Sequence, residues 1–150
     1  MKKQVQNNLQ RLLFISSFLT FGVGDGVTAA YLMKKESVMR ESNPIIRYIF
    51  ITGGGNSVIS VKIWFTFIIL FFVWLLKSKY NYWTISGFLF SLLVGGLMAT
   101  GANLMAIRGM TPPSPGSIIF VYLFLVVLLV ILGDAMDNIS SDKPRTQPAI

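Results

Sequence analysis

The chain has 150 residues, 53% hydrophobic and only 13% charged. A soluble domain carries about 25% charged residues, so this one cannot cover a water-facing surface, and its length allows a single domain. It has no cysteine and no histidine, which excludes disulfides, thiolate metal sites, cysteine nucleophiles, Ser-His-Asp triads, the usual zinc sites and histidine-ligated haem.

Thirteen Lys/Arg against six Asp/Glu give a net charge of +7. The basic residues sit at the ends of apolar runs, as membrane topology requires, so the charge points to no nucleic acid. The expected class is an all-α integral membrane protein whose first partner is the lipid bilayer. No cofactor is implied. Spanning segments must satisfy their own backbone, and strict alternation is absent, so they are helices rather than barrel strands.

Residues 1–11 read as a polar, basic segment on the cytoplasmic side. The first span, about 12–33, contains Asp25. Lys2, Lys3 and Arg11 ahead of LLFISSFLTFGV also resemble a signal peptide, with Thr28-Ala29-Ala30 as a cleavage site. The apolar run continues to Met33, which favours a retained span. Residues 34–43 are polar. Residues 44–52 are apolar apart from Arg47, and Gly53-Gly54-Gly55 follows. Ser42 or Asn43 can cap a helix that has Pro44 in its first turn, and the glycines can end it. This stretch is too short to cross the bilayer and predicts a short interfacial or re-entrant helix. An ordered loop is the alternative.

The second span, about 57–76, contains Lys62, and the third, about 83–107, contains Asn103. Residues 109–116 (GMTPPSPG) read as a stiff loop. The fourth span, about 117–133, has no charge. Residues 12–133 thus form a four-helix transmembrane domain, and 134–150 a polar tail expected to be disordered. With four spans, the N-terminus, the 77–82 loop and the C-terminus hold seven Lys/Arg and the opposite side five. That bias places both termini in the cytoplasm of a multi-pass cell-membrane protein.

Asp25 lies about eight residues before the end of an outward span. Lys62 lies about five after the start of an inward one, and Asn103 about four or five before the end of another outward span. At about 1.5 Å per residue all three fall roughly 7–12 Å below one face. A charge in hydrocarbon costs about 2.5–3.5 kcal/mol even on lenient scales, so each needs a partner or water. Asp25 and Lys62 are the obvious pair, Asn103 can bond to either, and Thr28 shares a helix face with Asp25. Two small-residue rows, Gly22, Gly26 and Ala30 in the first span and Gly95 and Ala99 in the third, allow close packing. They suggest that spans one and three approach closely, with Lys62 reaching in. The pair is either a structural salt bridge or a functional site. Lys62 can also snorkel to the interface, leaving Asp25 protonated or paired with Arg47 or Arg108. Glu41, Asn43 and Pro44 read either as a helix cap or as a lid over the cluster. The tryptophans and tyrosines read as interfacial anchors.

Asp25-x-x-Thr28, Glu41-x-Asn43-Pro44, an early lysine in the second span and a late asparagine in the third resemble a family of small archaeal and bacterial integral membrane proteins known only as a domain of unknown function. The resemblance covers about residues 14–107. It implies a compact four-helix membrane domain and no established activity.

Three functions compete. A structural or accessory subunit, a scaffold or part of a larger membrane complex, fits the small-residue rows and the featureless fourth span. A small transporter or ion- or proton-handling protein fits the polar cluster and the re-entrant segment, although four spans would need a homo-oligomer and no inverted repeat is evident. An enzyme would need Asp25 or Glu41 as acid or base, and no nucleophile motif accompanies them, so no enzymatic activity is expected.

Overall fold

In the computed structural model, which describes residues 2–77 and 82–141, the described residues are helical with no strand. Four helices are long and apolar enough to cross a membrane. The first combines α1 (Lys2–Ser17), a π-helical segment (Phe18–Gly24) and α2 (Asp25–Lys35). After a 3₁₀ turn (Val38–Arg40) come α3 (Pro44–Leu76), α4 (Tyr82–Ile107) and α5 (Pro115–Ser141).

The polar residues before position 12 are not a separate segment. They form the opening turns of α1, and Gln10 is 2% exposed. Its amide donates to the Tyr82 carbonyl at 3.2 Å, which pins this end of α1 to the start of α4.

Asn43 caps α3. Its Oδ1 accepts the Ile45 N–H at 2.9 Å, and Pro44 follows in the first turn, where its missing N–H costs nothing. Within α3 one residue, Gly54, leaves helical geometry, with φ 71° and ψ −173°. Only glycine adopts that conformation readily. Residues 44–53 and 55–76 are therefore two helical stretches meeting at a bend. The triple glycine thus ends the short helix, as expected, and a second helical stretch follows it directly. The first stretch stays attached because Ile46 is buried with Ala30, Met33 and Val58 beside the end of α2.

A Schellman motif ends α4. Gly109 has φ 73°, and the Met110 N–H reaches the Met105 carbonyl at 2.9 Å. Ser114 then caps α5 through the Ser117 N–H at 3.1 Å, and Pro115 opens the helix. The helix thus starts inside the stretch expected to be loop. It also runs on to Ser141, so residues 134–141, expected in a disordered tail, are helical. The rest of that tail, and residues 78–81 of the expected 77–82 loop, lie outside the described residues.

The first span is central. It runs antiparallel to α3 and parallel to α4, and α5 packs antiparallel on α4. Glycines set the close approaches. Gly22 lies against Thr66 and Gly26 against Ile59 and Lys62, while Gly96 lies against Thr20 and the backbone of Phe21. Gly87 and Gly133 bring α4 and α5 together, and Gly95 makes room for the Tyr122 ring.

This corrects the expected pairing of the small-residue rows. Gly22, Gly26 and Ala30 face α3 rather than the third span, and Gly95 faces α5. Ala99 is half-buried on α4. The first span has a second face of small residues, Ser17, Gly24 and Thr28, and that face meets α4. Its spacing is irregular across the π-helical segment, so it does not stand out as a row. Below these contacts, Leu13, Leu70, Val73, Ile85, Leu89 and Leu92 form a buried apolar core.

A methyl group at Gly96 would lie 2.5 Å from the Phe21 nitrogen, 2.8 Å from its Cα and 2.7 Å from the Thr20 hydroxyl, so backbone as well as a side chain would have to give way. Gly96→Ala should therefore lower stability by about 1–3 kcal/mol. At Gly101 a methyl meets nothing within 4 Å. Gly101→Ala should be neutral or stabilising by up to about 1 kcal/mol, through helix propensity. Thermal unfolding in detergent compares the two; equal melting of both variants would show that the α4 contact tolerates expansion.

Candidate functional site

Asp25 stands at the junction of the π-helical segment and α2. A π-turn lets a backbone N–H reach five residues back, and the Asp25 N–H bonds to the carbonyls of Gly22 and Thr20. The segment therefore keeps its backbone bonds while holding the Asp25 side chain between α3 and α4. π-Turns recur at functional sites.

The Asp25 carboxylate meets a different helix with each oxygen. Oδ2 accepts from Lys62 Nζ of α3 at 2.6 Å. Oδ1 accepts from Asn103 Nδ2 of α4 at 3.0 Å. The second Asn103 donor reaches Thr28 Oγ1 at 3.1 Å. Thr28 donates its own proton to the Gly24 carbonyl at 2.8 Å, leaving its oxygen free to accept. Both groups facing Asn103 Nδ2 are thus acceptors, which fixes the amide orientation. The structure brings Asp25, Thr28, Lys62 and Asn103 into one network. Lys62 neither snorkels away nor leaves Asp25 to an arginine.

The side chains of Lys62 and Asp25 keep 17% and 16% of their exposure. The Lys62 ammonium donates one of its three protons to Asp25. Chemically this is a charge-neutral, largely buried pair with spare hydrogen-bonding capacity. Among the described residues no three His, Cys, Asp or Glu side chains come together to hold a metal.

Glu41, Asn43 and Pro44 stay out of this network. Glu41 Oε1 accepts the Asn43 N–H at 2.9 Å, and Asn43 caps α3. Both side chains make only local bonds among the described residues, as a cap does and a lid over Asp25 does not.

The network is one link in a polar seam between the first span and α4. Ser17 Oγ donates to the Leu89 carbonyl at 2.8 Å, and Thr100 Oγ1 to the Thr20 carbonyl at 3.2 Å. At the far end Lys35 Nζ reaches the Ile107 carbonyl at 2.9 Å. That cation meets one of the unpaired carbonyls at the end of α4. With Gln10 at the near end, the seam runs the length of the helix pair.

Asp137 is the residue that sequence reasoning missed, placing it in the tail. It is 5% exposed and caps α4 from outside. Its carboxylate accepts the Trp83 N–H at 3.0 Å, the Thr84 N–H at 2.9 Å and the Thr84 hydroxyl at 2.9 Å. Two orphan donors and the positive end of the α4 dipole are thereby satisfied. The one sequence signal is Gly133, a turn earlier. Its missing side chain lets α5 touch the backbone of Trp83 and Thr84.

Three antiparallel or parallel spans held by buried polar contacts, plus a fourth on one edge, define a small polytopic membrane protein. Residues 16–109 match the DUF5658 domain of unknown function, and the chain belongs to that family. The matched stretch covers nearly all of the seam and the Asp25 network and stops before α5. No curated protein and no solved structure matches the chain.

Asp137→Ala removes both backbone bonds at the start of α4 and should cost about 1–2 kcal/mol, the range of a lost helix cap. Amide exchange at Trp83 and Thr84 should quicken before the rest of α4 does. Asp137→Asn keeps an acceptor and should lose less. Unchanged exchange at those two amides in Asp137→Ala would remove the cap assignment.

Proposed function

We propose that this protein is a structural or accessory subunit of the cell membrane, with both termini in the cytoplasm. In it the Asp25, Lys62 and Asn103 cluster serves to lock three spans in one register. The observation that carries this reading is the division of the Asp25 carboxylate, Oδ2 to α3 and Oδ1 to α4. The polar seam supports the same reading, since its members meet protein partners along the whole helix pair. The apolar outer surface of α5, with Phe120, Phe124 and Ile131 exposed, suits lipid, a second copy of the chain or a larger membrane complex. Residues 44–53, with Ile45, Tyr48 and Ile51 outward, suit an interfacial helix. The Asp25-x-x-Thr28, Glu41-x-Asn43-Pro44, Lys62 and Asn103 pattern is then the part of the family's sequence that sets helix packing, and no catalytic role is assigned to it.

A second reading rests on the residual exposure of Asp25 and Lys62 and on the π-helical segment beside them. Those features favour a small transporter or an ion- or proton-handling protein, working as a homo-oligomer.

A buried ion pair adds little net stability, but halving it strands a charge at a cost of about 3–5 kcal/mol. Asp25→Asn and Lys62→Met should therefore each lower the melting temperature in detergent, and the double variant should recover most of the loss. Protection of Asp25 from a carboxyl reagent at every pH should accompany that result. Equal melting of all four proteins, with pH-dependent labelling of Asp25, would remove the locking role and favour the transport reading.

A further inference from the structure

Between the first half of the first span (α1 and the start of the π-helical segment) and α3 lies an open apolar groove of about 370 Å³, within the size range of small-ligand sites. It exists because the two helices part below their glycine contacts. Gly22 and Gly26 let α3 approach the first span closely. Toward the N-terminus the facing residues are large, with Phe14, Ile15 and Phe18 on one wall and Phe67, Phe71 and Trp74 on the other.

The Phe67–Trp74 wall covers about 10 Å at 1.5 Å per residue. One leaflet is about 15 Å, half of the roughly 30 Å hydrocarbon core. The groove therefore stays within one leaflet and closes where Gly22 meets Thr66. Its other end is cationic. Arg11 precedes Phe14 by three residues and Ile15 by four, and so lies on the same face of α1. Lys77 follows Trp74 by three residues with its backbone still helical (φ −56°, ψ −29°). Both cations lie on the side of the membrane that holds the N-terminus, and neither makes an ion pair among the described residues.

We propose that this groove is a binding site for one acyl chain of an anionic phospholipid whose phosphate is held by Arg11 and Lys77. Charge complementarity at the mouth selects a headgroup. The apolar groove, open to the side and blind where Gly22 meets Thr66, is long enough for a chain from a single leaflet. A second copy of this chain fits less well, because its apolar helices cross the whole bilayer and the groove does not. The site is independent of the Asp25 and Lys62 pair.

Native mass spectrometry of the detergent-purified protein tests the proposal, with dioleoyl phosphatidylglycerol titrated against dioleoyl phosphatidylcholine. A cation near an anionic membrane is worth about 1 kcal/mol, or roughly fivefold. The wild type should then prefer the anionic lipid by roughly thirtyfold, and Arg11→Gln/Lys77→Gln should lose that preference. Leu19→Trp fills the groove from its wall. It should abolish retention of the anionic lipid while the cations remain, with circular dichroism unchanged. Equal affinity for the two lipids, or retention of the anionic lipid by Leu19→Trp, overturns the proposal. A shift in oligomeric state on filling the groove, with bound lipid unchanged, assigns the groove to a second copy and overturns it equally.

Discussion

A carboxylate placed in hydrocarbon has to be met by protein, because little water is there to meet it. Asp25 is met by Lys62 and Asn103, which come from helices on two sides of the span that carries it. That one requirement ties the register of α3 to that of α4, although the two pack mainly on the first span rather than on each other. Sliding either helix by a turn, about 5.4 Å, would break a charged or charge-assisted bond at Asp25. The apolar contacts elsewhere discriminate less, since lipid tails solvate leucine and phenylalanine as well as neighbouring helices do.

The glycines and the polar seam work to the same end. Close approach at Gly22, Gly26 and Gly96 brings backbones near enough for short side chains to reach across. Ser17 and Thr100 then bond to carbonyls on the facing helix, Leu89 and Thr20. Interhelical bonds of this kind are modest, averaging about 0.6 kcal/mol in membranes. Their value lies in number and direction: each admits one register, and together they run from Gln10 to Lys35. Where the small residues stop, the helices separate, and the aromatic-lined groove between α1 and α3 begins.

Much of this was legible in the residues. Four spans follow from run length and hydropathy, and the common depth of Asp25, Lys62 and Asn103 follows from counting residues from span ends. The cap by Asn43 and Pro44 is a local signal and was readable as such. What escaped was non-local or irregular. No 3.6-residue wheel anticipates the π-helical segment from 18 to 24, so the face bearing Ser17, Gly24 and Thr28 was invisible while the regular row at 22, 26 and 30 drew notice. Asp137 lay in a polar stretch that composition assigns to a tail, and its partners are more than fifty residues away. The bend was suggested by three glycines and the helix after it by the apolar run from 57, but which glycine would leave helical geometry was not readable, since all three are equally permissive.

The position of Asp137 has a consequence for the order in which the molecule is built. Thr84 and Asp137 are 53 residues apart in the chain. At about 5–20 residues per second of synthesis, roughly 3–10 s separate their appearance. During that interval the first amides of α4 have no carboxylate and depend on water at the bilayer surface. The last helix therefore completes the one before it: until α5 has been made, the first amides of α4 lack the carboxylate that caps them.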